Sequence, residues 1–388
     1  MTNCDEKISL CALGRIFGFE PKIPLALIAQ TGSASGIFRL GAKELDDILG
    51  PHSRYRGKIC PQAFDEAAMS LEKLSAEGIR FTGWTEEGYP PMLKECPDAP
   101  AGLYIRSIES DGNLWSSPAI SIVGTRDISP YGREWCGKIV SSLAECRPRP
   151  CIISGLALGT DICAHINAMQ SGLPTIAVMA TGPEQVYPHR HREIARKMAV
   201  APGCALVTDF PPGTAPLPVN FLRRNRIIAG LGMATIIVES KIKGGAMMTS
   251  GLAFSYDREV YALPGRADDI RSQGCNRLIR SRIAEPLTST EDLAESLGLR
   301  AAEKTKPLSD GELLHKYYGP DEPEENIRQM IQIISAIRGR SGISLEQAAE
   351  ATGMTYGRTA AIAGILEADG FITTDLLRRC FLVHRKFR

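Results

Sequence analysis

Short runs of aliphatic and β-branched residues alternate with helical patterns through the middle of this 388-residue chain. A strand that is apolar along its whole length is buried on both faces, and such strands joined by helices form a parallel sheet covered on both sides. We therefore predict a Rossmann-like, doubly wound α/β domain with a mostly parallel sheet over residues 86–298. The predicted strands are 119–123, 151–154, 175–180, 205–208, 235–238 and 259–262, and the predicted helices are 131–145, 161–171, 190–200, 220–230, 246–256 and 273–283.

Different patterns flank this domain on each side. Residues 1–85 contain short helical stretches separated by glycines and polar turns, which predicts a small helical domain. Residues 102–105 predict an edge strand. Residues 299–325 are polar, with a Lys-Thr-Lys-Pro stretch at 304–307, and they predict a linker. Residues 326–388 carry a helix, a helix-turn-helix and two strands in the order of a winged helix.

The loops that follow the predicted strands carry many glycines. In an open parallel sheet, ligands bind at the carboxyl ends of the strands. A glycine lets the backbone approach an anion there, and the helix that follows offers free N–H groups. A tight turn without a ligand explains any single loop better, but the loops taken together favour one extended anion site. The candidate residues from the loops are Gly124, Thr125, Arg126, Ser129, Ser154, Gly155, Gly159, Lys243, Gly244 and Gly245.

A cluster of three arginines lies within the four residues 223–226. The formal net charge of the chain is only +1, so this positive charge is local. A planar guanidinium matches the oxygens of a phosphate, but it can also pair with a carboxylate of the same fold, such as Asp209 or Glu239. This stretch alone does not decide between a phosphate and a carboxylate as the partner of the arginines. The glycine-bearing loops favour a phosphate-bearing ligand. The candidate residues here are Phe221, Arg223, Arg224, Asn225 and Arg226.

Several classes of protein are disfavoured by what the sequence lacks. Neither a GxGxxG nor a Walker A pattern occurs, which argues against a dinucleotide oxidoreductase and a P-loop ATPase. Asp161 and His165 lie four residues apart and could form an acid/base pair, although helix capping and packing are the simpler roles. His189 and His191 lack nearby carboxylate or cysteine ligands, so no metal site is predicted.

The composition is that of an ordinary globular protein. No apolar run reaches the length of a membrane span, and the first residues lack the layout of a signal peptide, so we expect a cytoplasmic protein. The 11 cysteines are scattered, and those in apolar stretches, such as Cys151, Cys163 and Cys204, are expected to be reduced core residues.

Four short motifs, taken in order, resemble the DNA-processing protein A family, also called DprA or Smf. They are V-G-T-R at 123–126 followed by S-P-Y-G, S-G-L-A-L-G-T-D at 154–161, F-L-R-R-N-R-I-I at 221–228, and G-C-N-R-L-I at 274–279. The resemblance covers about residues 119–283. One departure lies at 244–250, where G-G-A-M-M-T-S stands in place of the S-G-S-L-I-T-A that is usual in the family; two hydroxyls are missing, and Lys243 is the predicted substitute.

This resemblance implies a function that composition and motif spacing alone do not indicate. It implies a protein that binds single-stranded DNA, protects incoming DNA and loads the RecA recombinase on it during natural transformation. It implies no catalytic residues and no cofactor. It also implies a homodimer formed through the Rossmann-like domain, an N-terminal helical module of the SAM-like type and a C-terminal winged helix.

Two other functions stay open at this point. One is a nucleotide-processing hydrolase of the lysine-decarboxylase-like type, but the Gly244-Gly245 pair lacks the P-G-G-x-G-T continuation of that group. The other is a transcription regulator that acts through the winged helix. The predicted recognition helix at 355–368 has Arg358 balanced by Glu367, which favours a protein-interaction module. The basic residues after it are Arg378, Arg379, Arg385, Lys386 and Arg388.

Overall fold

The computed structural model describes residues 3–18, 20–301, 309–319, 322–340, 342–375 and 378–383. The chain divides into two compact units, Met1–Ala302 and Glu303–Arg388. The Lys-Thr-Lys-Pro stretch at 304–307 and the predicted basic residues Arg385, Lys386 and Arg388 lie outside the described residues.

The first unit combines a group of N-terminal helices with a large α/β part. Its helices are α1 (Asn3–Phe17), α2 (Lys22–Thr31), α3 (Ala34–Ile37), α4 (Ala42–Leu49), α5 (Pro61–Ala76), α6 (Pro91–Lys94), α7 (Asp111–Leu114), α8 (Pro130–Ala144), α9 (Thr160–Gln170), α10 (Arg192–Ala199), α11 (Pro218–Leu231), α12 (Gly245–Ser255), α13 (Gln273–Arg280) and α14 (Thr290–Ser296), with 3₁₀ turns at Arg56–Lys58 and His189–His191. Its strands are β1 (Arg80–Gly83), β2 (Gly102–Arg106), β3 (Ala119–Val123), β4 (Cys146–Arg147), β5 (Cys151–Ser154), β6 (Thr175–Val178), β7 (Ala205–Thr208), β8 (Ala234–Ile237), β9 (Glu259–Ala262), β10 (Glu285–Pro286) and β11 (Arg300–Ala301).

Within the described residues, nine of these strands form one sheet in the order β1-β2-β7-β6-β5-β3-β8-β9-β10. Neighbouring strands from β7 to β10 run parallel, and β1 and β2 add an antiparallel pair at one edge. The predicted mostly parallel, doubly wound sheet is confirmed. The strand predicted at 102–105 is not at the edge, however, because β1 pairs with its outer side.

The order of the strands contains one switch point. The chain runs outward from β3 through β5, β6 and β7, and then returns to the other side of β3 to form β8, β9 and β10. The loops after β3 and β8 therefore diverge to opposite faces of the sheet. A crevice opens between them, at the place where doubly wound folds bind ligands.

Each central strand packs on both faces of the sheet, as its apolar sequence predicts. Ile120 and Ile122 of β3 pack with the side chains of α8 and α9, whereas Val123 belongs to the cluster that includes α11 and α12. Ser121 points to the same side as Val123, and its hydroxyl donates to the carbonyl oxygen of Ile228 (2.6 Å). This bond fixes α11 against the sheet next to the switch point.

The N-terminal helices share their apolar core with the sheet. Leu10, Leu13 and Phe17 of α1 pack in one cluster with Phe81 of β1 and Tyr104 of β2. The predicted boundary after residue 85 therefore cuts through a common core, and β1 belongs to the sheet. No described helix is long and apolar enough to cross a membrane.

The second unit contains helices and a small antiparallel sheet. Its elements are α15 (Asp310–Tyr318), α16 (Glu324–Gly339), β12 (Ile343–Ser344), α17 (Leu345–Thr352), α18 (Tyr356–Ala368), β13 (Ile372–Thr374) and β14 (Arg379–Leu382), with β14 between β12 and β13. The helix α15 lies inside the predicted linker, which is therefore wrong for residues 310–318. Ser309 and Glu312 form a capping box at its start, and Leu314 is buried. The winged helix itself stays a prediction.

Candidate functional site

An open groove of about 530 Å³ lies at the switch point, between the loops that follow β3 and β8. It is bounded on the third side by the first turns of α11. The structure brings eight of the predicted site residues to this groove, and they come from three separate stretches of the chain. They are Gly124, Thr125, Arg126, Phe221, Arg224, Asn225, Gly244 and Gly245.

Two glycines allow the loops under the groove to lie close together. A Cβ on Gly124 would lie 2.3 Å from Oγ1 of Thr160. Gly159 has a φ of +76°, and a Cβ there would lie 2.3 Å from the carbonyl oxygen of Thr125. Gly159 does not line the groove, so its role is to hold the loop after β3 against the start of α9 rather than to meet a ligand.

Arg126 and Lys241 provide exposed positive charge at the groove. Neither forms an ion pair with any carboxylate in the part of the chain that the structure describes. Asp127, the exposed acid beside them, is paired with Arg271 (2.9 Å). The groove is therefore positive, and an anion can reach its cations. Lys243 is also exposed but does not line the groove, whereas Lys241 of the same loop does; a ligand contact by Lys243 stays a prediction.

The N-terminus of α12 opens into the same groove. Its cap residue, Gly244, has no side chain that could accept from the first N–H groups of the helix. The free N–H groups and the helix dipole together favour an anion at this position. This is also the segment where the hydroxyls of the family pattern are missing, so the backbone and Lys241 are the donors that remain.

Arg224 lies at the floor of the groove with only 3% of its surface exposed. Its Nη1 donates to the carbonyl oxygens of Gly155 (2.6 Å) and Val178. Burial lowers its pKa to about 10, and the nearby carboxylate of Asp161 opposes that shift. A Cβ on Gly155 would lie 2.1 Å from the same Nη1, so Gly155 makes room for the guanidinium. Arg224 thus carries positive charge under the groove while it braces the loop after β5.

Arg226 points away from the groove and is not available to a ligand. It forms a buried ion pair with Asp209 and also donates to the carbonyl oxygen of Asp98. The intramolecular alternative that the sequence left open is confirmed for this residue. Arg223 is half-buried, its pKa is lowered by burial, and its guanidinium carbon lies 5.5 Å from the centre of the Phe210 ring.

Two predicted serines are also engaged inside the protein. The hydroxyl of Ser154 is buried and donates to the carbonyl oxygen of Ile122 (2.6 Å). Ser129 accepts from the backbone N–H of Gly132 (3.1 Å) and caps α8, and its own N–H donates to the buried carboxylate of Glu239 (2.9 Å). Neither serine lines the groove, and both form structural contacts inside the protein.

An aromatic pair forms one wall of the groove. Phe221 is half-buried, and the guanidinium carbon of Arg126 lies 5.1 Å from the centre of its ring. Tyr187, which lies outside the predicted set, contacts the Phe221 ring edge to face at 5.5 Å and is 46% exposed. Tyr187 and Pro188 match a Tyr-Pro pair of the family pattern, and this match is the sequence signal that could have pointed to Tyr187.

The titratable pair on α9 does not form an acid/base couple at the groove. His165 is buried, its Nδ1 lies 2.7 Å from Oγ1 of Thr175, and burial lowers its pKa to about 3. Asp161 accepts from the N–H of Ala157 (3.3 Å), and burial raises its pKa.

The histidine at 191 has a partner inside the protein, since its Nδ1 lies 2.8 Å from the carbonyl oxygen of Leu156. The described residues contain no cluster of three metal ligands.

Comparison with known proteins points to one family. A family model described as DNA recombination-mediator protein A matches residues 80–298. Protein Smf of Synechocystis is 34% identical over 66% of this chain and 61% of its own length, and protein Smf of Escherichia coli is 36% identical over 54% of each. The chain thus spans less than two thirds of both relatives. The X-ray structure of DNA processing protein A from Streptococcus pneumoniae matches with a TM-score of 0.61 and 28% identity, over 76% of this chain and 98% of that one.

Proposed function

The chain belongs to the DNA recombination-mediator protein A family, and from this membership and the groove we propose that it binds single-stranded DNA. The observation that carries the proposal is the meeting of two cations with the uncapped N-terminus of α12 at the switch point. The cations are Arg126 and Lys241, which form no ion pair with any described carboxylate. Arg and Lys side chains and helix N-termini are the groups that hold phosphates of a nucleic-acid backbone.

The shape and chemistry of the groove support a single strand as the ligand. The bases of a single strand are free to stack on aromatic rings, and stacking tolerates any base. Phe221 and Tyr187 offer such rings beside the cations. In a duplex the bases are already stacked on one another, so only the phosphate contacts would remain.

We further propose that the protein binds this strand without cleaving it. The buried, neutral His165 lies away from the groove, Asp127 is paired with Arg271, and Asp161 lies under the groove beside Arg224. A hydrolase would need an acid or base that is free to act on the strand, and Asp127, the exposed acid at the groove, is held by Arg271. The test is incubation with labelled single strands and with nucleoside monophosphates; a cleaved product would favour the hydrolase instead.

The family resemblance extends the proposal to a role in transformation. The bound strand would be protected from nucleases and passed to a RecA-type recombinase, and the protein would act as a homodimer. Nuclease protection, and the rate at which RecA filaments nucleate on coated strands, test these steps separately from binding.

The double variant Arg126→Ala/Lys241→Ala should bind single strands more weakly and with a weaker dependence on salt. Each lost phosphate contact flattens the slope of log affinity against log salt by about 0.7 for single strands, so the pair should flatten it by about 1.4. Titration of a labelled oligonucleotide at several salt concentrations measures both effects. A matched double variant, Arg280→Ala/Lys73→Ala, removes two exposed cations away from the groove and should bind normally. Unchanged affinity and slope in the first variant would place the DNA elsewhere.

A chain that ends at residue 302 should bind single-stranded DNA with most of the full-length affinity. The groove is built entirely from residues between 123 and 249, and the first compact unit extends to Ala302. An end at 298 would be less suitable, because it removes β11, which pairs with β4. Loss of nearly all binding in the folded, shortened chain would instead make the second unit a principal DNA site.

A further inference from the structure

A second cavity, of about 840 Å³, lies beside α10. Its walls come from the end of β2, the loop at 184–189 and the outer side of α10. The cavity belongs wholly to the first unit and is separate from the floor of the groove. Its apolar surface comes from Ile108, Val186, Ala195, Ala199, Val200 and Leu206.

Four basic side chains line this cavity, and one of them, Arg196, is paired with Glu193 on the same helix. Arg192 and His189 are exposed at the rim, and Arg106 lies deeper in the wall. The Nε of Arg106 is buried and has no hydrogen-bond partner among the described residues. Two acids, Glu77 and Glu184, also line the cavity, and Glu184 already accepts from the backbone N–H of Gly213 (2.7 Å). A buried donor without a partner calls for an acceptor from a ligand, and the surrounding charge favours an anionic one.

The second cavity and the groove share one lining residue. Tyr187 lines both, and its ring rests against Phe221. The two cavities therefore adjoin each other at this aromatic pair. The mixture of an apolar floor with guanidinium and imidazole groups suits a nucleotide, whose base is apolar on its faces and whose phosphate is charged.

We propose that a single strand held in the groove continues over Tyr187 into the second cavity, where Arg106, His189 and Arg192 contact its phosphates. This inference rests on the proposed function and extends the DNA track beyond the groove. It also assigns a role to His189 in the Pro-His-Arg-His stretch at 188–191.

The test compares oligonucleotides of increasing length, from about 4 to about 16 nucleotides, which is the range of site sizes known for single OB-fold domains that bind single strands. In the unmodified protein, affinity should rise with length and then level off. The affinity of the double variant His189→Ala/Arg192→Ala should level off at a shorter length, and its salt slope for the longest oligonucleotide should flatten by about 0.7 because the Arg192 contact is lost. Both residues are exposed, so the variant should fold; a melting curve confirms this.

Lys197→Ala is the matched control, because Lys197 is exposed on the same helix but does not line the cavity. It should leave the length dependence unchanged. If the His189→Ala/Arg192→Ala variant has the same plateau length and salt slope as the unmodified protein, the second cavity is not part of the track. The proposed function would survive that result, because it depends on Arg126→Ala/Lys241→Ala weakening the binding of every oligonucleotide, the shortest included.

Discussion

Asp209→Ala is expected to lower the free energy of unfolding of the first unit by about 3–5 kcal/mol, since it breaks a buried ion pair and leaves one charge without a partner. The side chains of Arg226 and Asp209 are only 8% and 9% exposed, so water cannot replace the lost carboxylate. The free energy of unfolding of a typical domain is about 5–15 kcal/mol, so the loss would be a large share of the total stability. Urea unfolding followed by circular dichroism measures it.

Two further variants separate the effect of the unpaired charge on stability from the effect of the cavity that Asp209→Ala leaves. Asp209→Ala/Arg226→Met removes both charges and keeps an apolar side chain on α11, so it should recover most of the lost stability. Asp268→Ala breaks the exposed pair with Arg266 and should leave unfolding unchanged. If Asp209→Ala alone had no effect, the Arg226 guanidinium would have to be free to turn, and its exclusion from the DNA site would be wrong.

Phe221→Ala should weaken binding of single-stranded DNA by about 1–3 kcal/mol, which is about 5- to 150-fold, while the protein stays folded. Phe221 forms a wall of the groove with Tyr187 and lies outside the apolar clusters that make up the core of the described residues. The ring is therefore placed to stack on a base rather than to hold α11 on the sheet. Fluorescence anisotropy with a labelled oligonucleotide measures the loss.

Phe64→Ala is the matched control for this substitution. Phe64 is also half-buried and also contacts another aromatic ring, Phe38, but it belongs to the N-terminal helices. It should change the melting temperature without changing DNA affinity. A Phe221→Ala protein that melts much lower yet binds DNA normally would show that the ring serves the core.

The sheet could be predicted because its strands are buried on both faces. Continuous apolar runs such as those of β3, β5 and β7 have few alternative structures besides a buried strand in a chain of this length. The helices between these strands require parallel pairing. The family resemblance, now confirmed by the match over residues 80–298, rests on the same segment. The short β1 was missed because four residues at an edge give little pattern, and it turned the predicted edge strand β2 into an inner one.

The predicted linker shows the opposite error. Its polar composition suggested an unstructured connection, but α15 needs only a capping box and one buried leucine to pack against α16. Composition averages over a segment, whereas a short helix depends on a few residues at the right spacing.

The sequence by itself determined the type of fold, its family and the edge of the sheet where a ligand would bind. Only the tertiary structure decided which of the clustered arginines face that edge. Successive residues of a helix point about 100° apart, so Arg223, Arg224 and Arg226 on α11 reach different surroundings: the Phe210 ring, two carbonyl oxygens below the groove, and Asp209. The cations that remain for a ligand, Arg126 and Lys241, lie more than a hundred residues apart and meet because β3 and β8 pair side by side.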